Sequence, residues 1–203
     1  ALKYAKWTGT KWSTQTVDSA DWVGDSTSIA LDGSGNPHIS YRDNTNTDLK
    51  YAKWTGASWS TQTVDSTGDD VGYDTSIAID GSGNPHISYW DQTNGNLKYA
   101  KWLSTGIWSV TTVDSTGIVG CDTSISLDGS GNPHISYQDA GLNDLKYAKW
   151  TGTNWSIETV ESAGDEGSFT SMALDGSGKP HISYSYWTGT DYDLKYSKWT
   201  GTS

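Results

Sequence analysis

The chain has 203 residues, which is one ordinary domain or two small ones. Apolar residues make up only 33% of it, but the 12 Trp and 12 Tyr each bury roughly 150–250 Å² and can build a core. A net charge of -11 without a basic cluster argues against nucleic-acid binding. The short apolar runs predict no membrane span, and the single Cys121 excludes an intrachain disulfide and a Cys-based zinc site.

Two strings of residues recur along the chain. Leu-Lys-Tyr-x-Lys-Trp begins at residues 2, 49, 97, 145 and 194, and Asp-Gly-Ser-Gly-x-Pro-His-Ile-Ser-Tyr begins at residues 32, 80, 128 and 175. Successive copies of the first string are 47 to 49 residues apart. A period of roughly 40–50 residues is typical of one four-stranded propeller blade, so the sequence predicts tandem β-sheets.

One repeat, residues 75–113, shows four strand patterns in chain order. Ile77 and Ile79 alternate with small residues, which is the period-2 pattern of a strand. Gly81 and Gly83 mark a tight turn, and Pro85 opens the return strand, where a missing N–H costs little. No stretch shows helical periodicity, so the predicted class is all-β, with strands at 75–80, 85–89, 97–102 and 108–113.

The order Ser-Ile-Ala-Leu-Asp-Gly-Ser-Gly-Asn, then a short strand and two further strands, resembles the blade of NHL-type and BNR-like propellers across nearly the whole chain. The resemblance implies that the Ile-Ala-x-Asp strand lines the central channel. It also implies that the Leu-Lys-Tyr strand is third and the Trp-Ser-x-x-Thr-Val strand outermost. The near-identical repeats are similar to symmetric designed propellers as well, and natural amplification and engineering both stay open.

Counting strands gives four blades and one strand over. We predict one whole-propeller or half-propeller domain over 1–203, with blades at 26–66, 73–115 and 121–162 and a composite blade from 168–199 plus 2–18. Residues 2–7 and 194–199 both claim the third position of that composite blade. Either the chain closes a four-bladed monomer, or two copies form a homodimer that closes an eight-bladed ring. The redundant strand favours the homodimer.

Four histidines occupy the same position in each repeat, on the predicted second strand. A ring spreads them too far apart to share one metal ion, so we expect neither a metal nor a cofactor. We expect each imidazole to bond a Ser or Asp of the neighbouring blade instead. These histidines are His38, His86, His134 and His181.

The Asp-Gly-Ser-Gly loops are somewhat similar to calcium loops and to the Asp-box of sialidase-like propellers. They offer too few oxygen ligands for calcium, and the Trp that follows the Asp-box is not at its spacing here. We therefore expect each aspartate to cap its own hairpin turn. These aspartates are Asp32, Asp80, Asp128 and Asp175.

Catalysis is not expected. BNR-like sialidases hold a carboxylate with several arginines, and this chain has only Arg42. The carboxylates either recur in every repeat or lie in variable loops, whereas glycoside hydrolysis needs one specific pair.

Aromatic residues that vary between repeats are the candidate ligand contacts, because a ring beside a carboxylate can hold a sugar. Packing within the core or loops is the favoured role for them. The candidates are Trp22, Tyr73, Trp90, Tyr186 and Trp187, together with Asp43, Asp91 and Asp139.

The favoured function is a non-enzymatic repeat scaffold without a specific activity. The alternatives are a multivalent, lectin-like carbohydrate binder and a protein-interaction platform. The expected partners are a second copy of the chain and, for the lectin, a glycan. The chain begins at Ala1 without a signal-peptide pattern, and its compartment stays open.

Overall fold

The computed structural model describes residues 1–67, 69–103 and 106–201, and the chain in these ranges forms strands and turns without a helix. Among the described residues, therefore, no helix exists that could cross a membrane. The strands are β1 (Leu2–Trp7), β2 (Trp12–Asp18), β3 (Val23–Leu31), β4 (Pro37–Asp43), β5 (Asp48–Trp54), β6 (Trp59–Asp65), β7 (Val71–Ile79), β8 (Pro85–Asp91), β9 (Asn96–Leu103), β10 (Ile107–Asp114), β11 (Val119–Leu127), β12 (Pro133–Asp139), β13 (Asp144–Trp150), β14 (Trp155–Glu161), β15 (Asp165–Leu174), β16 (Pro180–Trp187) and β17 (Tyr192–Lys198).

These strands form five antiparallel sheets of a β-propeller, which confirms the predicted fold class. Blade A is β3–β6, blade B is β7–β10, blade C is β11–β14 and blade D is β15–β17. Strands β1 and β2 form a separate two-stranded sheet, which we call the N-terminal hairpin. Within each blade the strands lie side by side in chain order.

The first strands of successive blades meet around the central axis. The Ile77 amide donates to Ser28 Oγ at 3.2 Å, and the Ile125 amide donates to Ser76 Oγ at 3.2 Å. The first strand is innermost and the Trp-Ser strand is last in each four-stranded sheet, so the strand order that the resemblance implies is confirmed.

Each first strand begins earlier than the alternating pattern indicates. In blade B it starts at Val71, and the register with β8 shifts twice before Ser76. Gly72 has a φ of +87°, and a Cβ there would lie 3.0 Å from the Leu49 Cα of blade A. Asp74 also has a positive φ, of 48°. This irregular segment packs one blade on the next, and its broken alternation hides it from a period-2 search.

Aromatic residues form the core between blades. Trp108 of β10 packs edge-on against Tyr51 of β5, with ring centroids 5.2 Å apart, and Trp155 of β14 packs in the same way against Tyr99 of β9 at 5.3 Å. The outermost strand of each blade therefore covers the third strand of the blade before it.

The two ends of the described chain each hold a third-strand copy. Leu2 of β1 is buried against Gly24 at the start of blade A. Leu194 of β17 occupies the same repeat position in blade D and is 84% exposed. The N-terminal hairpin and blade D are separate sheets within the described ranges, so the composite blade of 168–199 and 2–18 stays a prediction.

Candidate functional site

The repeated aspartates shape the hairpin turns, as expected from the sequence. Asp80 Oδ1 accepts hydrogen bonds from the amides of Ser82 at 2.9 Å and Asn84 at 2.8 Å. Burial acts to raise the pKa of Asp80, but the hydrogen bonds from Asn84 and Ser82 outweigh it and lower the pKa. Equivalent caps recur at Asp32, Asp128 and Asp175.

The repeated histidines bond within their own blade, so the expected bond to a neighbouring blade is wrong. His86 Nδ1 lies 2.6 Å from the Tyr99 hydroxyl, and His86 Nε2 lies 3.6 Å from Asp80 Oδ2. The register of β8 with β9 pairs Ser88 with Tyr99, which places that ring diagonally beside His86 on the same face. Burial, aided by Lys101, lowers the pKa of His86 to about 4. The same pair recurs as His38–Tyr51, His134–Tyr147 and His181–Tyr196.

A buried ion pair joins neighbouring blades, and the sequence analysis missed it. Lys98 Nζ of blade B lies 2.6 Å from Asp65 Oδ2 of blade A, and the Tyr89 hydroxyl donates to the same oxygen at 2.6 Å. The sequence feature that could have indicated this ion pair is the Val-Asp pair at the end of β2, β6 and β10. The arrangement recurs around Asp18 and Asp114, which accept from Lys50 and Lys146.

The sequence proposed three aspartates as ligand contacts, and each is buried as the last residue of a second strand. They are Asp43, Asp91 and Asp139. Asp43 Oδ1 accepts from the amides of Thr45 at 3.0 Å and Asn46 at 3.1 Å. Because these carboxylates accept hydrogen bonds from the amides of their own loops, we do not include them in the candidate site.

Trp22 presents an exposed ring on a well-held backbone. Its side chain is 71% exposed, while its amide donates to Thr45 Oγ1 at 3.1 Å and its carbonyl accepts from the Asn44 amide at 2.9 Å. Asn44 Nδ2 in turn donates to the exposed Asp25 carboxylate at 3.3 Å. We call Trp22, Asp25 and Asn44 the loop-face site. It combines an open aromatic face with a carboxylate acceptor and an amide that both donates and accepts.

Tyr73 and Trp90 of blade B form a half-buried, tilted pair of rings that faces blade A. Their ring centroids are 5.8 Å apart, and the Arg42 guanidinium lies 4.0 Å above the Tyr73 ring. Arg42 also donates to Asp70, and so does the Tyr73 hydroxyl, at 3.3 Å. Burial raises the pKa of Tyr73, although Arg42 opposes the rise. Arg42 lies across the strand pair from Asp25, so this pair of rings is next to the loop-face site.

Tyr186 and Trp187 belong to blade D and do not join this group. Lys195 Nζ lies 3.9 Å above the Tyr186 ring, and the Trp187 ring lies 4.7 Å from that of Tyr192. The structure thus brings Trp22, Tyr73 and Trp90 to neighbouring blades and leaves the other two aromatic candidates elsewhere. No group of three or more His, Cys, Asp or Glu is arranged to hold a metal ion within the described ranges.

Among the comparisons with known proteins, only the search of solved structures finds matches. No protein-family model matches the chain, and no curated protein matches it either. The Aleuria aurantia lectin in complex with Fucα1-6GlcNAc has a TM-score of 0.62 at 15% identity, covering 98% of this chain and 67% of that one.

Two glycoside hydrolases also share the architecture. The exo-β-1,3-galactanase of Phanerochaete chrysosporium has a TM-score of 0.58 at 12% identity, over 86% of this chain and 47% of the galactanase. A thermostable family-43 glycoside hydrolase has a TM-score of 0.52 at 14% identity, over 89% of this chain and 73% of that one. The chain therefore spans about half of the galactanase, and at these identities the likeness shows the fold.

These comparisons contradict the expectation of a repeat scaffold without a specific activity. The three structures named above are a lectin and two glycoside hydrolases. They include both non-enzymatic and enzymatic proteins.

Proposed function

We propose that the protein is a carbohydrate-binding, lectin-like propeller that binds a neutral sugar at the loop-face site. The observation that carries the proposal is the Trp22 ring, which is 71% exposed although its backbone is fixed by hydrogen bonds to Asn44 and Thr45. An exposed indole on a fixed backbone provides an apolar face with little loss of conformational entropy on binding. The shared fold with a fucose-containing complex supports the same class of ligand.

The polar neighbours of Trp22 suit sugar hydroxyls. A sugar ring has one face of C–H groups that can lie on an indole, and hydroxyls at its edge that donate and accept hydrogen bonds. The exposed Asp25 carboxylate accepts, and the Asn44 amide offers both roles. Only blade A carries a Trp at this position, since the equivalent residues in blades B, C and D are Asp70, Ile118 and Asp165. We therefore propose one such site per chain.

Charge favours neutral sugars over acidic ones. The chain has a formal net charge of -11, which repels an anionic sugar at long range. Its single arginine, Arg42, is buried over the Tyr73 ring and donates a hydrogen bond to Asp70. A sugar carboxylate would have to break this contact, so we propose binding of a neutral glycan without hydrolysis.

The NHL-type or BNR-like ancestry and the self-association expected from the strand count also stay proposals. The first rests on the repeat pattern alone. The second rests on the N-terminal hairpin and blade D, which contribute no residue to the loop-face site.

Isothermal titration calorimetry of the full chain tests the function. We expect Fucα1-6GlcNAc or β-1,3-galactotriose to give a saturable heat, and 3'-sialyllactose to give none. Trp22→Ala should weaken binding at least about tenfold, because an aromatic anchor is removed. Trp12→Ala removes an equally exposed Trp from the N-terminal hairpin and should leave sugar affinity unchanged. Flat titrations with both neutral sugars, followed by no hit on a glycan array, would contradict the proposal.

A further inference from the structure

A large groove lies between the outer parts of blades C and D. It encloses about 930 Å³ and is lined by Tyr147 and Glu158 of blade C and by Pro180 and Trp199 of blade D. The equivalent groove between blades B and C encloses about 300 Å³ and includes Trp155.

The difference follows from one missing contact. Trp155 packs edge-on against Tyr99 at 5.3 Å and fills the smaller groove. Tyr147 is the repeat equivalent of Tyr99, and no described residue of blade D stands where Trp155 does in blade C. The groove therefore fits the Trp of an outermost Trp-Ser-x-x-Thr-Val strand.

The same chain carries a strand of this kind whose Trp packs only within its own hairpin among the described residues. Trp12 lies edge-on to Trp7, with ring centroids 5.8 Å apart. Strand β2 has the sequence Trp-Ser-Thr-Gln-Thr-Val-Asp, identical to β6 of blade A. In β6, Trp59 packs against Tyr4 with ring centroids 5.3 Å apart. Trp12 holds the same position in β2 and is 66% exposed. The N-terminal hairpin thus has the Trp that the groove lacks.

We propose that the N-terminal hairpin of a second copy docks on blade D, replaces β17 beside β16, and places its Trp12 against Tyr147. Trp59 Nε1 donates to Gln15 at 2.8 Å across the junction before blade A. Glu158 is the repeat equivalent of Gln15 in blade C, so it accepts the corresponding bond from Trp12. Reciprocal docking of two copies makes a two-fold ring of eight four-stranded blades.

Strand β17 is the third-strand copy that the hairpin displaces. Leu194 is 84% exposed, whereas Leu2 at the same repeat position is only 4% exposed. The hairpin is also held to blade A by Lys50, whose Nζ lies 2.7 Å from Asp18 Oδ2. Tyr4 is the repeat equivalent of Tyr196, which bonds His181, but the N-terminal hairpin contains no histidine. Docking on β16 places Tyr4 beside His181.

A second copy fits better than the hairpin of the same chain. Within the described ranges the hairpin is packed on blade A and forms no strand pair with blade D. Another chain supplies the same hairpin without reshaping the junctions between blades A, B, C and D.

Light scattering with size-exclusion chromatography tests the proposal on the full chain. We expect a mass of twice the 22.0 kDa of one chain. Trp12→Ala should raise the dimer dissociation constant at least about tenfold, since a central aromatic anchor is lost. Glu158→Ala, on the exposed acceptor side, should weaken the dimer without unfolding it. Removing residues 194–203 should leave the dimer intact or tighten it.

Trp22→Ala is the matched control, because it removes an exposed Trp outside the hairpin and should keep the dimer. A wild-type mass of one chain would overturn the proposal. So would a dimer that Trp12→Ala leaves unchanged. Sugar binding by Trp12→Ala separates this result from the function, because the loop-face site does not include the hairpin.

Discussion

Acid should destabilise the propeller through its buried histidines, and His86 gives the clearest case. Its side chain is fully buried, lies beside Tyr99, Asp80 and Lys101, and has a pKa of about 4 instead of the ordinary 6.5. Below pH 6.5 the unfolded chain takes up a proton that the folded chain does not, so stability falls as the pH drops toward 4.

The size of the effect follows from the two pKa values. Between about pH 7.5 and about pH 4.5, His86 should remove about 2.5 kcal/mol from the free energy of unfolding. The aspartate caps contribute little in this window, because the unfolded chain protonates these groups only near the ordinary pKa of 3.8. In the folded chain, hydrogen bonds hold the pKa of Asp80 lower still. His38 and His134 add to the loss, since burial lowers their pKa as well.

Guanidinium unfolding followed by Trp fluorescence, at one protein concentration and at both pH values, measures this loss. His86→Asn keeps an acceptor for Tyr99 and removes the titrating group, so the difference between the two pH values should shrink by about 2.5 kcal/mol. His181→Asn is the control. His181 is 26% exposed, and the variant retains all three buried histidines. An unchanged pH dependence in His86→Asn would refute the reasoning.

Two further substitutions test the blade junctions by chemical unfolding. Gly120→Ala should destabilise the protein by about 2–4 kcal/mol, because Gly120 has a φ of +103° and its Cβ would lie 2.7 Å from the backbone of blade B. Gly129→Ala, which meets open space, should change stability by less than about 0.5 kcal/mol, and equal effects in both variants would contradict the packing. Asp65→Ala should cost about 3 kcal/mol, because buried Lys98 loses the carboxylate at 2.6 Å and keeps Asp91, whose Oδ2 lies 3.9 Å from its Nζ. Asp21→Ala removes an exposed carboxylate and should be neutral, so similar losses in both aspartate variants would argue against the buried pair.

The repeat made the architecture predictable. Each copy encodes its own strands, turns and caps, so Pro85, the Gly81–Gly83 turn and the Asp80 cap follow from residues close together in the chain. The strand order within a blade follows in the same way, because consecutive antiparallel strands are joined by short turns.

Contacts between blades were harder to predict, since they join residues a whole repeat apart. Lys98 and Asp65 are 33 residues apart, so the Val-Asp pair that ends β6 does not indicate which cation the aspartate meets. Arg42 and Asp70 are joined across 28 residues, and only the structure shows that Arg42 is buried over Tyr73.

The candidate site was predicted in part. Trp22 was identified because it breaks the repeat, and the structure shows it exposed beside Asn44. The position of Asp43 holds an aspartate in blades A, B and C but not in blade D. A residue that recurs in this way is better suited to capping a loop than to binding a ligand. The proposed site therefore rests on a residue that departs from the repeat.

A crystal structure of the protein soaked with the neutral sugar that gives the strongest calorimetric signal tests the central claim most directly. The account predicts a sugar ring stacked on the face of Trp22, with hydroxyls within hydrogen-bond distance of Asp25 and Asn44. A sugar bound at another place on the propeller, with the Trp22 ring uncovered, would contradict it.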